Sequence, residues 1–172
     1  MKDRVHIAGL PNSPLGRLWA AAGERGLAAL DIQVEREAFL ADLHQRGYVI
    51  SDQGAGMAAE ALRQVLEYLE GKRRSFDFAI DWECLRPFQR LVLQETCAIP
   101  YGETATYAEI ARRVGKPEAA RAVGRAQATN PMPLVIPCHR VLGSDGKLHG
   151  YGAGEGLKTK QWLLRLEAEN AE

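Results

Sequence analysis

Cysteine is scarce in this chain: three among 172 residues, an odd number at irregular spacing. That excludes a disulfide framework of the kind that staples small secreted domains. No pair stands at CxxC spacing and no Cys/His cluster has zinc-finger spacing, so neither a metal nor another cofactor is expected. Cys84 and Cys97 read as small buried hydrophobes. No apolar run approaches the ~18 residues that suggest a membrane span, and Met1-Lys2-Asp3-Arg4 leads into no signal-peptide core. The expectation is a cytoplasmic protein that does not engage a membrane. Repeats and low-complexity segments are also lacking. Lys+Arg and Asp+Glu balance at 22 each, and a net charge of zero by itself points to no nucleic-acid partner.

What is present has the makeup of an ordinary globular protein, 46% hydrophobic and 26% charged, and the chain is long enough to bury a real core. The charge is unevenly placed. Residues 1–81 carry 10 basic and 12 acidic side chains, whereas residues 107–147 carry 7 and 3. Before residue 81 the pattern is mixed α/β. Leu18–Ala22 and Leu27–Leu30, joined by Gly23-Glu24-Arg25-Gly26, read as a hairpin. Residues 35–46 and 57–70 read as helices, the second with Ala58, Leu62, Val65, Leu66 and Leu69 at helical spacing. Phe76, Phe78 and Ile80 alternate with Asp77, Ala79 and Asp81 as a half-buried strand would. No chemical motif falls in this part, whose expected role is scaffold.

The character changes near residue 85. Pro87 suits the first turn of a helix. Thr106 and Glu109 form a T-x-x-E capping box that opens a second one, with Tyr107, Ile110, Ala111 and Val114 on its buried face. Gly115-Lys116 breaks it, and a third helix is expected over about 117–128, with Ala120, Val123, Gly124 and Gln127 on one face and Arg121 and Arg125 on another. Two short helices around a glycine-containing turn read as a helix-turn-helix. A solvated basic helix is the plain alternative, but small side chains allow close approach to a groove, and paired arginines can reach phosphates or bases. Asn130-Pro131-Met132-Pro133 is a rigid turn. Six glycines lie between Gly143 and Gly156, and 157–168 forms a closing amphipathic helix with Trp162, Leu163 and Leu166 facing inward.

Ile136-Pro137-Cys138-His139-Arg140-Val141 carries the chemistry. A thiolate is a strong nucleophile, and neighbouring positive charge lowers its pKa. His139 and Arg140 would be unwelcome in an apolar core, so Cys138 reads as a reactive rather than a structural cysteine. Sequence neighbours do not face each other on a regular element; a bridging water is the natural link between His139 and the sulfur. The base needs an orienting carboxylate, for which Glu167 is one candidate among several.

These pieces resemble, in order, the active-site domain of the O6-alkylguanine-DNA alkyltransferases (methylated-DNA–protein-cysteine methyltransferases). The resemblance runs over 87–167 through Pro87-Phe88-Gln89, Ile99 to Thr104, Thr106-Tyr107, Ala119 to Gly124, Asn130-Pro131, Pro133, Ile136 to Val141, Gly150-Tyr151, Trp162 to Leu164 and Glu167. A looser likeness covers Ser13 to Gly16 and Gly26-Leu27. It implies an α/β N-terminal domain over 1–81, a small antiparallel sheet with helices, ribonuclease H-like. A mainly α C-terminal domain with a winged-helix-like helix-turn-helix would cover 82–172. It implies repair of DNA by single-turnover, irreversible transfer of the alkyl group from O6-alkylguanine to Cys138, and leaves activity on O4-methylthymine open. His139, oriented by Glu167, would take the thiol proton through water. Tyr107 would donate to the purine N3, and Arg121 would fill the gap left by a flipped base. Asn130 would brace the turn before the active-site strand. The backbone at Val141 would meet the guanine amino group, and Tyr151 would wall the pocket. Gly124, Arg125 and Pro133 belong to the same DNA and substrate surface. The partner would be duplex DNA, entered from the minor groove, and the protein a monomer. His149 stands where the family commonly has a small residue, and the loop 152–156 is longer than usual. Both bear on the size of adduct accepted.

Three other readings compete. A non-catalytic alkyltransferase-like lesion-binding module carries tryptophan at the cysteine position, which Cys138 argues against. A Cys-His-Glu hydrolase would need an oxyanion hole, for which no signature is seen. A helix-turn-helix regulator explains Arg121 and Arg125 but nothing after Asn130.

Overall fold

In the computed structural model the structure describes residues 3–52, 54 and 56–171. The chain divides into two compact units, 1–84 and 85–172.

The first unit is built on one sheet, ordered β3-β2-β1-β4. β1 (Arg4–Leu10), β2 (Leu18–Gly23) and β3 (Gly26–Ile32) form an antiparallel meander, and β4 (Val49–Ser51) joins parallel to β1. The expected hairpin is therefore present, with a register shift at Ala21/Ala22. Gly26 sits at φ 126°, and a Cβ there would lie 2.4 Å from the Ala79 carbonyl oxygen, so the turn demands glycine. β2 and β3 are apolar almost throughout because both faces of the sheet are covered. α1 (Arg36–Gln45) lays Phe39 and Leu43 against Val5, Ala21 and Ala29, and α2 (Gly56–Leu69) packs on β1 and β2. In α2 the buried stripe also takes in Gln64 and Tyr68, whereas Leu66 is only half-buried.

The expected strand over residues 76–80 is not formed. Its alternation is real: Phe76, Phe78 and Ile80 are half-buried and Asp77 and Ala79 exposed. Only Ile80 makes a bridge, to Leu27. The two phenyl rings instead pack on each other at 5.5 Å, and Phe76 on Tyr68 at 5.7 Å. Burial on one side creates a period of two; a strand also needs a ladder partner, and periodicity does not reveal one.

The second unit is helical. α3 (Pro87–Cys97), α4 (Tyr107–Arg113) and α5 (Ala120–Ala128) pack mutually around Val92, Ile99, Ile110, Ala111, Val123 and Val141. Pro87 occupies the first turn of α3, and Thr106 and Glu109 close both halves of the capping box on α4. α5 begins at Ala120 rather than at Pro117; residues 117 and 118 form a turn first. Buried Gln127 ties α5 to α3 through Thr96 Oγ1 at 2.7 Å, and Gln89 reaches the carbonyl of Thr129 at the end of α5. A two-residue parallel pair joins β5 (Ala105–Thr106) to β6 (Val141–Leu142). α6 (Leu157–Asn170) closes the unit. No helix among the described residues is long and apolar enough to cross a membrane.

Candidate active site

Cys138 lies on a single 3-10 turn, Cys138–Arg140, which runs directly into β6. The sulfur is therefore carried by a tight turn, not by a strand. Asn130 holds the approach: its Nδ2 donates to the Ile136 carbonyl at 3.0 Å, and its Oδ1 accepts from the Met132 amide at 2.9 Å. Between these anchors Leu134 takes φ 75°, and Pro133 is buried and bridged to Ile136. The β5–β6 register then sets the place of Tyr107. Thr106 pairs with Leu142, so the residue that opens α4 follows a strand hydrogen-bonded to the one that leaves the cysteine turn.

His139 is fully buried, as is Glu167 on α6, and Arg140 is 7% exposed. The expectation that the pair after the cysteine would avoid the interior is overturned, and Glu167 is the reason. His139 Nε2 donates to Glu167 Oε1 at 2.8 Å. Arg140 Nε donates to Oε2 at 2.9 Å and Nη2 to Oε1 at 2.7 Å, while Nη1 donates to the Ile99 carbonyl at 2.7 Å. A buried charge is tolerated when paired and hydrogen-bonded. Burial alone would raise the Glu167 carboxyl; its bonds to His139 and Arg140 win and hold it at about 2. An ionised carboxylate only accepts, so it fixes the His139 proton on Nε2 and makes Nδ1 the basic nitrogen.

Burial pushes the Cys138 thiol up, against the Asn130 amide and the Lys160 ammonium, which favour the thiolate. Burial also lowers the His139 imidazole, only partly offset by Glu167. Both shifts favour the uncharged pair, a thiol beside a neutral base. That is the resting state a proton-abstracting mechanism needs. Burial likewise raises the thiols of the other two cysteines, Cys84 and Cys97, the latter to about 12.

Around this centre the structure gathers most of the expected residues. The Tyr107 hydroxyl donates to the His149 carbonyl at 2.9 Å. Burial, with the charge of Cys138 adding to it, raises the phenols of Tyr107 and Tyr151. The Val141 carbonyl accepts from Lys160 Nζ at 2.7 Å. His149 folds back on its loop, its ring against Gly143 and Nε2 3.1 Å from Asp145 Oδ1. Arg121 and Arg125 stand exposed on α5, outside this bonded cluster. Gly124, half-buried on the same helix, turns towards the Tyr107 ring, which lies 4.0 Å from where a Cβ would sit.

Two residues escape the sequence reading. Arg140 was noticed only as a positive neighbour of the sulfur. Lys160 is not among the inward residues that the sequence reading gives α6, which are Trp162, Leu163 and Leu166. The buried side chains of that helix are Thr159, Lys160, Leu163 and Glu167. The spacing 160-163-167 is helical and could have found the stripe, had polar residues been allowed on an inward face.

Comparison with known proteins agrees with this organisation. Residues 87–169 match the DNA binding domain of 6-O-methylguanine DNA methyltransferase and residues 7–82 its ribonuclease-like domain. A methylated-DNA–protein-cysteine methyltransferase of Methanosarcina barkeri is 44% identical over 160 residues, 92% of this chain and 94% of that protein. The constitutive enzyme of that name from Bacillus subtilis is 45% identical over 109 residues, 63% of this chain and 65% of its own. The solved Mycobacterium tuberculosis OGT in complex with DNA superposes with a TM-score of 0.77 at 37% identity, over 96% of this chain and 94% of that one. A cysteine turn braced by a buried His-Glu-Arg cluster, next to a helix-turn-helix, thus occurs in a chain matched over both units: it belongs to the 6-O-methylguanine DNA methyltransferase family.

Proposed function

We propose that the protein repairs DNA by moving the alkyl group of an O6-alkylguanine irreversibly onto Cys138. The observation that carries this reading is the β5–β6 pairing, which links the nucleophile's turn to the start of the helix-turn-helix. A DNA-binding element and a buried thiol with its base share one rigid frame. A target inside a duplex is out of reach of such a thiol, so the base must be extruded, at a cost of about a few kcal/mol. A lesion can arise in any sequence context, so phosphate contacts suit the binding better than a base code. In this reading α5 enters the minor groove. Arg121 fills the gap left by the base, while Gly124 and Arg125 belong to the DNA-facing surface.

His139, through a bridging water, takes the thiol proton, and Glu167 stabilises the imidazolium that forms. The sulfur attacks the alkyl carbon, the bond from that carbon to O6 breaks, and the electron pair leaves with guanine, which Tyr107 protonates at N3. The Val141 carbonyl has a second lone pair for the guanine amino group beside its bond to Lys160. Tyr151 walls the alkyl pocket, and Asn130 and Pro133 hold the turn. The product is a thioether, and the protein is spent after one event. It acts as a monomer in the cytoplasm.

Incubation with a duplex bearing one O6-methylguanine, followed by intact and peptide mass measurement, tests this. One methyl is expected on the Cys138 peptide, with no turnover beyond one equivalent. A Cys138→Ala protein that still removes the methyl would overturn the assignment. Binding without transfer would mark a lesion-flagging module, and turnover without modification a hydrolase.

A further inference from the structure

The loop that leaves β6 closes on itself before it returns to the site. The Gly143 carbonyl accepts from the Gly146 amide at 2.9 Å, and the Gly143 amide donates to the Lys147 carbonyl at 3.1 Å. Asp145 fixes the same turn with its carboxylate, Oδ1 accepting from the Lys147 amide at 2.9 Å. The carboxylate then serves a second partner, His149, whose Nε2 lies 3.1 Å from Oδ1 and 3.3 Å from Oδ2. The imidazole comes to rest on Gly143. A Cβ at that glycine would lie 2.6 Å from His149 Nε2 and 2.7 Å from Asp145 Oδ1, and Gly143 is buried although residues 144–147 are exposed. Its backbone is not left-handed, so glycine is required there for room, not for conformational freedom.

Residue 149 is held at both ends. Its side chain lies outward on the turn, 54% exposed. Its carbonyl accepts the Tyr107 hydroxyl at 2.9 Å and Lys160 Nζ at 3.1 Å. Lys160 also donates to the carbonyls of Val141 at 2.7 Å and Gly150 at 3.4 Å. A phenol has one proton to donate. In the free protein the His149 carbonyl holds that proton; in the transfer reaction it is needed at the purine N3. The carbonyl can release it at little cost, because Lys160 keeps the oxygen bonded and no acceptor is stranded. Where the carbonyl stands decides where the Tyr107 hydroxyl waits, and the clasp on the outer side of the loop decides where the carbonyl stands.

Resting on the alkyl-transfer reading, we infer that Asp145 and His149 are positioning residues of the reaction. Clasped over Gly143, they hold the His149 carbonyl as the acceptor that orients the Tyr107 hydroxyl before the purine arrives. Neither side chain needs to touch the substrate. Their contribution is preorganisation: a proton donor already held near its working place has less freedom left to lose on the way to the transition state.

Two variants open the clasp in different ways. Asp145→Ala removes the carboxylate, and Gly143→Ala fills the place of the ring. Each should melt like the parent yet lower the single-turnover rate at saturating O6-methylguanine duplex about tenfold, the worth of one hydrogen bond. In a Tyr107→Phe background, which has no hydroxyl to orient, neither should slow the reaction further. Losses that persist in that background overturn the proposal, as does a parent-like rate in either single variant. A second readout requires no transfer. In protein labelled with ¹³Cζ-tyrosine, the Tyr107 signal, identified by its absence from Tyr107→Phe, should shift in Asp145→Ala, and an unmoved signal overturns the proposal whatever the rates. A parent that moves no methyl to Cys138 would overturn the repair reading instead, and the tyrosine signal alone would then decide whether the clasp sets the hydroxyl.

Discussion

Glu167 receives four donors at once: the imidazole of His139, two guanidinium nitrogens of Arg140 and the backbone amide of Gly102. Its replacement by Gln should therefore do more than slow proton transfer. Removing one partner of a buried ion pair strands the other, at about 3–5 kcal/mol, so Glu167→Gln should lower the urea midpoint markedly as well as the transfer rate. The pH dependence has a definite sign. The carboxyl is held at about 2 against an ordinary value of 4.5. Its contribution is therefore fully present above the ordinary value and drains away as pH falls from there towards about 2. Urea titrations across that window should show the parent losing stability through this group, and the Gln variant lacking that component. At this scale the sequence was informative about chemistry and poor about placement. Cys138 and His139 stand out by adjacency, whereas the bracing role of Asn130 comes only with the family resemblance. Arg140 and Lys160 do not stand out, because burying a cation runs against residue-type expectation until its partner is seen.

Among the elements, α5 carries the clearest test. Gly124 is a poor helix residue, yet a Cβ there would meet only the Tyr107 ring at 4.0 Å, an ordinary contact. Packing does not require glycine at this place. Gly124→Ala should raise stability by roughly 0.5–1 kcal/mol in thermal melts while weakening duplex binding, since the added methyl holds the helix off the groove. Equal or tighter DNA binding would remove Gly124 from the interface. Elements with a local cause were legible. The hairpin has its Gly26 turn, α4 its capping box, and α2 its long apolar stripe. The segment 76–80 and the start of α5 were misjudged for a shared reason: a burial period or a proline permits a strand or a helix, but ladder partners and neighbouring helices decide whether it forms.

Taken whole, the molecule has no net charge, so attraction to DNA must be local. The excess of basic side chains over 107–147 includes Arg121 and Arg125, both exposed on α5. Affinity for duplex DNA should fall steeply with salt, and loss of a phosphate contact should lower the slope of log affinity against log salt by about 1. Arg125→Ala should do this alike for damaged and undamaged duplex. Arg121→Ala should instead reduce repair of duplex far more than reaction with the free alkylated base, measured as single-turnover rates; equal losses would refute a role in holding the base out.

By itself the sequence determined the β2–β3 hairpin, the helices α2 and α4, and the gathering of its chemical motifs after residue 85. These rest on local causes, such as caps, turns and the composition around one cysteine, which travel with the chain. The tertiary structure alone decided which polar groups go inside. His139 and Arg140 are buried because Glu167 arrives from α6, and Lys160 is buried because three carbonyls meet it. The free energy of a buried charge depends on partners far away along the chain, and only the fold brings them within reach.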